Sequence, residues 1–296
     1  MPDGTVVLAV DIGGTKLAAG VVDGDGGLRS RAHAPTPDTL DPAAVFDALA
    51  GVMDRALAGA PAPEACGVGC GGPMTAGGAT VSPLNIPAWR AFPLRDRLEA
   101  RVGLPTRVEN DAKALALGEG WRGAAVGHDD FLAMVVSTGV GGGIVLDGRL
   151  LDGAQGNAGH IGHVIVEPEG RRCPCGARGC LEAEASGRSI EAATGRPAAE
   201  ADAAVRRRTG TMVGRAVASV ASLLDLRLAV VAGSVALGFG APFFEAAQEE
   251  IDRRARLEFS RGTRIVRAGL GPDGPLVGAA AVARHALAGT AGGGVR

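Results

Sequence analysis

Two rhythms of apolar residues alternate along this chain. Short β-branched runs that stop at glycines predict strands, and runs with apolar residues every three or four positions predict helices. TVVLAVDIGG (residues 5–14) and LAAGVVDGDGGL (17–28) together predict a β-hairpin. DPAAVFDALAGVMDRALAG (41–59) predicts a helix with Asp41 as N-cap and Pro42 at the first helical position. ACGVGCGGPM then predicts a buried strand closing on a glycine turn, and PLRDRLEARVG a short helix. PTRVEND predicts a strand ending on acidic residues, and DAKALALGEGW the start of a helix.

A second round follows with the same logic. DFLAMVVSTGVGGGIVLDGRLLDGAQG predicts a strand, a Thr-Gly turn and a returning strand. VRRRTGTMVGRAVASVASLLDL predicts a long amphipathic helix, RLAVVAGS a strand, PFFEAAQEEIDRRARLEF a helix, and PLVGAAAVARHALAG a small-residue helix near the C-terminus. The tail GTAGGGVR is expected to fray. Strands alternating with helices, with a hairpin opening each round, predict an α/β protein of two similar lobes with a cleft between them. No Pro- or Ser-rich linker divides them.

Composition narrows the function classes. Hydrophobic residues are 46% and charged residues 21% of 296, so a packed core is expected and global disorder is not. The formal net charge is −2, without the basic excess that a nucleic-acid partner asks for. No apolar run reaches about 18 residues, and the N-terminus lacks a positive n-region, so neither a membrane span nor a signal peptide is expected. The five cysteines are an odd number; in a cytoplasmic protein they predict free thiols or a metal site rather than disulfides.

DIGGTK ends the first strand in a tight turn. Gly13 and Gly14 let backbone N–H groups approach an anion, Thr15 and Lys16 add a hydroxyl and a charge, and Asp11 is placed to hold Mg²⁺. A hairpin turn with incidental charges is the plainer reading. STGVGGG repeats the device in the second half, where Ser137, Thr138 and Gly139 offer donors without bulk. Two such turns suit a nucleotide polyphosphate. AGS, with Gly233 and Ser234, is a third turn suited to the adenosine end, though a lone turn of this kind is usually only a loop. Asn110 and Asp111 in VEND read two ways: as a helix N-cap, or as a carboxylate that accepts a hydroxyl proton during phosphoryl transfer. The two glycine turns favour the second.

His163, Cys173, Cys175 and Cys180 form H-x9-C-x-C-x4-C, with Pro and Gly in the knuckle CPCGARGC. One imidazole and three thiolates make a closed tetrahedral set for a structural Zn²⁺, with no open position for catalysis. Such a knuckle would hold its neighbours His160 and Glu182 rigidly, ready for a polar substrate, although either could be an ordinary loop side chain. Cys66 and Cys70 belong to an apolar strand and read as small core residues.

With DIGGTK, GCGGPM, SPLNIPAW, VENDA, VSTGVGGGIV, GHIGH, CPCGARGCLE and ASGRSI, the chain resembles the ROK family of sugar kinases and related repressors over nearly its whole length. The resemblance implies an actin-like (RNase H-like) fold of two lobes, with residues 1–109 as one lobe, completed by a C-terminal helix near 280–290, and 110–280 as the other. It implies a small-molecule sugar and ATP as substrates, and a homodimer. Asp111 would be the base acting on the sugar 6-hydroxyl, with Gly72, Asn85, Asn110, His163 and Glu182 on the sugar. Where most sugar kinases of the family have Glu in E-x-G-H, this chain has His160, so its pocket near C2 of the sugar should differ. AGHIGH is similar to the form in bacterial N-acetylmannosamine kinases, and LNIPAW to the loop of the family's glucokinases. The former weighs slightly more. The family's repressors carry a DNA-binding module ahead of the first strand, and about five residues precede VVLAVDIGG here. A sugar-binding protein without catalysis is disfavoured by Asp111 and the two glycine turns. Polyphosphate stays open as the donor in place of ATP, since both are polyanions held on glycine turns; a basic channel would favour it, and the sequence shows no basic cluster.

Overall fold

The computed structural model describes residues 4–291, which divide into two compact units. The first comprises residues 4–123, Asp152–Ala158 and 270–291; the second comprises Ala124–Leu151 and Gly159–Gly269.

In the first unit, β1 (Val7–Ile12), β2 (Lys16–Val22) and β3 (Leu28–Pro35) form an antiparallel meander. Helix α1 (Pro42–Leu57) follows, its N-cap Asp41 accepting the Ala43 N–H at 2.9 Å. β4 (Ala65–Cys70) is buried at every position. After it come α2 (Leu94–Val102), β5 (Thr106–Asn110) and α3 (Asp111–Arg122). The sheet order is β3-β2-β1-β4-β5, with β4 and β5 parallel to β1.

In the second unit, β6 (Phe131–Val136), β7 (Val140–Leu146) and the two-residue β8 (Arg149–Leu150) again form a meander. Helices α4 (Leu181–Ala185), α5 (Gly187–Thr194) and α6 (Ala203–Leu224) precede β9 (Leu228–Ala232). Then come α7 (Ser234–Phe239), α8 (Ala241–Arg254) and β10 (Arg264–Arg267). The order β8-β7-β6-β9-β10 repeats that of the first sheet, strand for strand and direction for direction. The chain thus carries one topology twice. Helix α9 (Gly274–Ala291) closes the first unit.

Each unit buries its own aliphatic core. Leu8, Val10, Leu49, Val68 and Trp89 belong to the core of the first; Met134, Val213, Val231 and Phe243 belong to that of the second. The units change after Gly123, past the 109/110 boundary drawn from the sequence, because α3 packs on α9. Gly118 and Gly278 permit that approach: a Cβ on Gly118 would stand 2.9 Å from the Gly278 Cα.

The predicted elements are present, and the structure adds others: β3, the four-residue β10 and the short helices α4, α5 and α7. The β3 segment LRSRAHAP has no apolar run and was not expected as a strand. Helix α8 stops at Arg254, since the buried Ala255 leaves helical geometry at φ −76, ψ 81. α9 runs through Ala291, three residues into the stretch expected to fray; the rest of that tail lies outside the described residues. No described helix is long and apolar enough to cross a membrane.

Candidate active site

In an open α/β sheet, ligands gather at the carboxyl ends of parallel strands. In the first unit those ends are Asp11–Ile12, Cys70–Gly72 and Asn110–Asp111, and strand register brings them level: Asp11 pairs with Gly69, and Cys70 with Asn110. The space above Gly69 is bounded by Asp11 Oδ1 and the Asp111 Cα, 3.8 and 3.7 Å from where a Cβ would sit. Burial, and after it the charge of Asp111, raises the Asp11 pKa from 3.8 to about 7, with Lys16 pulling the other way. The same two carboxylates add to the burial that holds the Cys70 thiol protonated.

The cap reading of VEND holds. Asn110 caps α3, its Oδ1 accepting the Ala112 N–H at 3.0 Å. Its Nδ2 stands 3.5 Å from the Cβ position of Gly72. Asp111 begins the helix, where the dipole favours a carboxylate, and its Oδ1 accepts the Ala112 N–H at 2.8 Å. The DIGGTK turn is closed by the Gly13 N–H donating to Lys16 O at 3.0 Å, and braced by Thr36 Oγ1 donating to Gly13 O at 2.7 Å. Gly14 packs on Asn85, leaving no room for a side chain: a Cβ would collide with Asn85 Cβ and stand 3.0 Å from its carbonyl oxygen. The structure therefore joins Gly14 to Asn85, and Gly72 to Asn110.

The second unit repeats this arrangement. Ser137, Thr138 and Gly139 follow β6, and Gly233 and Ser234 follow β9, its parallel neighbour. Ser137 Oγ and Ser234 Oγ are hydrogen-bonded at 2.9 Å. Gly233 has φ +101, and a Cβ there would strike the Val136 backbone. The half-buried Glu182, expected to face a substrate, directs Oε2 to the Val140 N–H at 2.9 Å. His160 is exposed and begins the single helical turn Ile161–His163; its ring lies 6.4 Å from that of His163, with 16° between planes.

His163, Cys173, Cys175 and Cys180 converge, their ligand atoms all within 4.8 Å of one another. Cys175 Sγ to Cys180 Sγ is 3.7 Å, and Cys173 Sγ to His163 Nδ1 is 3.8 Å. Tetrahedral zinc, with bonds of about 2.0–2.3 Å, sets ligand atoms roughly 3.5–3.8 Å apart. Burial and then the neighbouring thiols hold Cys180 up at about 12, and burial raises Cys173 as well. Exposed Cys175 is lowered, first by the Ala177 N–H. A divalent cation at the centre of the four would reverse the upward shifts and take all three thiols as thiolates. The donor set fits zinc. Cys66 and Cys70 are buried in β4 of the first unit.

Sequence reasoning missed Lys113. Its side chain is buried on α3 two residues after Asp111, and Nζ donates to Asp152 Oδ1 at 3.0 Å and Gly156 O at 2.9 Å. Glu109 Oε1 is 3.7 Å away. This anchor draws Asp152–Ala158 into the first unit. A lysine among the alanines of DAKALALGEG, four residues after Glu109, was the available signal.

Known proteins share this architecture. The model of the ROK family matches residues 7–286. An N-acetylmannosamine kinase of Citrobacter koseri is 41% identical over 250 residues, covering 79% of this chain and 84% of that one. Among solved structures, the ROK hexokinase of Thermus thermophilus aligns with a TM-score of 0.83 and 37% identity, over 96% of this chain and 100% of that one. A ROK family glucokinase of Streptomyces griseus, in complex with glucose and AMPPNP, gives 0.81 and 35%, over 95% and 99%. Those structures carry the actin-like fold seen here as a doubled sheet topology. This chain belongs to the ROK family.

Proposed function

We propose that this chain is an ATP-dependent sugar kinase that phosphorylates the 6-hydroxyl of a hexose or N-acetylhexosamine. The observation that carries the reading is the placement of Asp111 beside Asp11 above Gly69, at the carboxyl ends of β1, β4 and β5. Asp111 accepts the proton of the attacking hydroxyl, its carboxylate oriented by the Ala112 N–H at the start of α3. Asn110, Asn85, His160, His163 and Glu182 bind neighbouring sugar hydroxyls, and Gly72 keeps the wall beside Asn110 open. Two adjacent carboxylates suit a cation, and Asp11 would hold Mg²⁺, which neutralises phosphate charge when bound. Gly13, Gly14, Thr15 and Lys16 in one turn, and Ser137, Thr138, Gly139, Gly233 and Ser234 in the other two, hold the nucleotide. Zn²⁺ on His163 and the three cysteines is structural.

N-acetylmannosamine is favoured as the sugar, on His160 in AGHIGH and on the Citrobacter koseri relative. Glucose is the second reading, favoured by the LNIPAW loop and by the Streptomyces griseus glucokinase. The test compares kcat/KM for ATP-dependent ADP release with glucose, mannose, N-acetylglucosamine and N-acetylmannosamine. A preference for N-acetylmannosamine is expected. A preference for glucose would transfer the assignment, and no turnover with any sugar would remove it.

A further inference from the structure

The carboxylate of Glu182 holds the turn after β6. Oε2 accepts the Val140 N–H at 2.9 Å and lies 2.9 Å from where a Cβ on Gly139 would sit, so a side chain there would press the carboxylate out of place. Two more hydrogen bonds reach the same turn from the next few residues: the Gly187 N–H donates to Ser137 O at 2.7 Å, and the Arg188 N–H to Thr138 O at 3.5 Å. The corner that supplies these groups is itself fixed. Ser189 Oγ donates to the Glu182 carbonyl at 2.9 Å, as does the Ser186 N–H at 3.1 Å. Cys180 of the metal knuckle is two residues upstream of Glu182. The buried Glu184 accepts the knuckle's Arg171 N–H at 2.6 Å and pairs with Arg208 at 2.5 Å. Residues Ser137–Val140 thus hang by two carbonyls and an amide from residues 182–188.

We propose that Glu182 is a positioning residue for the phosphate-donor turn, and that the knuckle acts on the nucleotide through it. A glycine turn free in solution samples many conformations; one tied at both ends meets a polyanion already shaped. The identity of the anion, a nucleotide polyphosphate, rests on the kinase reading above, whereas the clamp is a property of the turn itself.

The test titrates Mg²⁺·AMPPNP calorimetrically into sugar-free protein, comparing wild type, Glu182→Gln and Glu182→Met, with zinc content and melting temperature measured on each. The amide oxygen of Gln still accepts the Val140 N–H; Met keeps the length and loses the acceptor. Glu182→Met is expected to bind about tenfold more weakly with zinc retained, and Glu182→Gln to stay within about threefold of wild type. Wild-type affinity in Glu182→Met overturns the proposal and leaves Glu182 to the sugar alone. An equal loss in both variants overturns it too, because the acceptor would then not be what matters. Should wild type bind no AMPPNP, the kinase reading fails and hydrogen exchange judges the clamp separately. Val140 N–H exchange about tenfold faster in Glu182→Met upholds the clamp, and unchanged exchange removes it.

Discussion

Asp11 and Asp111 stand on either side of Gly69 in β4, and the charge of Asp111 adds to burial in lifting the Asp11 pKa to about 7. The folded value lies above the ordinary 3.8, so between the two the folded chain keeps a proton that the unfolded chain has lost. This contribution to stability therefore declines as pH rises from about 4 to about 7. Melting temperatures across that window should show a downward contribution in wild type that Asp11→Asn lacks. Saturating Mg²⁺ should shrink the difference near pH 7, where the cation competes with the proton. A slope unchanged in Asp11→Asn would take Asp11 out of this role.

Metal analysis of the purified chain should find one zinc per chain. Cys180→Ser should lose it and lower the melting temperature by several degrees, because Cys180 is buried with its sulfur within 4.8 Å of the other three ligand atoms. Wild-type protein free of zinc after purification without chelator would end the structural-metal assignment.

Gly14→Ala should fold with a lower melting temperature and lose at least about tenfold in kcat/KM, because the added methyl collides with Asn85 and displaces the loop SPLNIPAW. The steady-state constants for sugar and ATP check this together. An unchanged KM for sugar would show that Asn85 does not bind it.

Lys113→Ala should cost on the order of 2 kcal/mol of stability, less than the loss for a fully buried pair because Asp152 is exposed and regains water. Hydrogen exchange should then speed up in Asp152–Ala158 first, since two of the lost bonds end there. Uniform exchange across the chain would mean that Lys113 supports the helix alone.

Where residue type alone dictates geometry, the sequence was informative. DIGGTK and STGVGGG were legible as turns because glycines close tightly at strand ends, and the knuckle because four soft ligands at close spacing have few other uses. The doubled topology was half legible: the hairpins opened each round, while β3, which alternates weakly, and the four-residue β10 carried too little pattern. Contacts that join distant residues were not legible. The bond from Glu182 to Val140 spans 42 residues, and that from Lys113 to Asp152 spans 39. Register and packing set those pairings, and no local pattern announces them. Asn110 shows a further limit: its sequence read as cap or as substrate residue, and its Oδ1 caps the helix while Nδ2 faces Gly72.

The most direct measurement is sugar-dependent ADP release by wild type and Asp111→Asn, assayed side by side with Mg²⁺·AMPPNP binding and melting temperature. Helix α3 keeps its Asn110 cap in the variant, so fold and nucleotide binding should persist while turnover falls about 10²–10⁴-fold. An Asp111→Asn protein that keeps more than about a tenth of wild-type turnover would contradict the account, because general-base catalysis cannot be lost that cheaply.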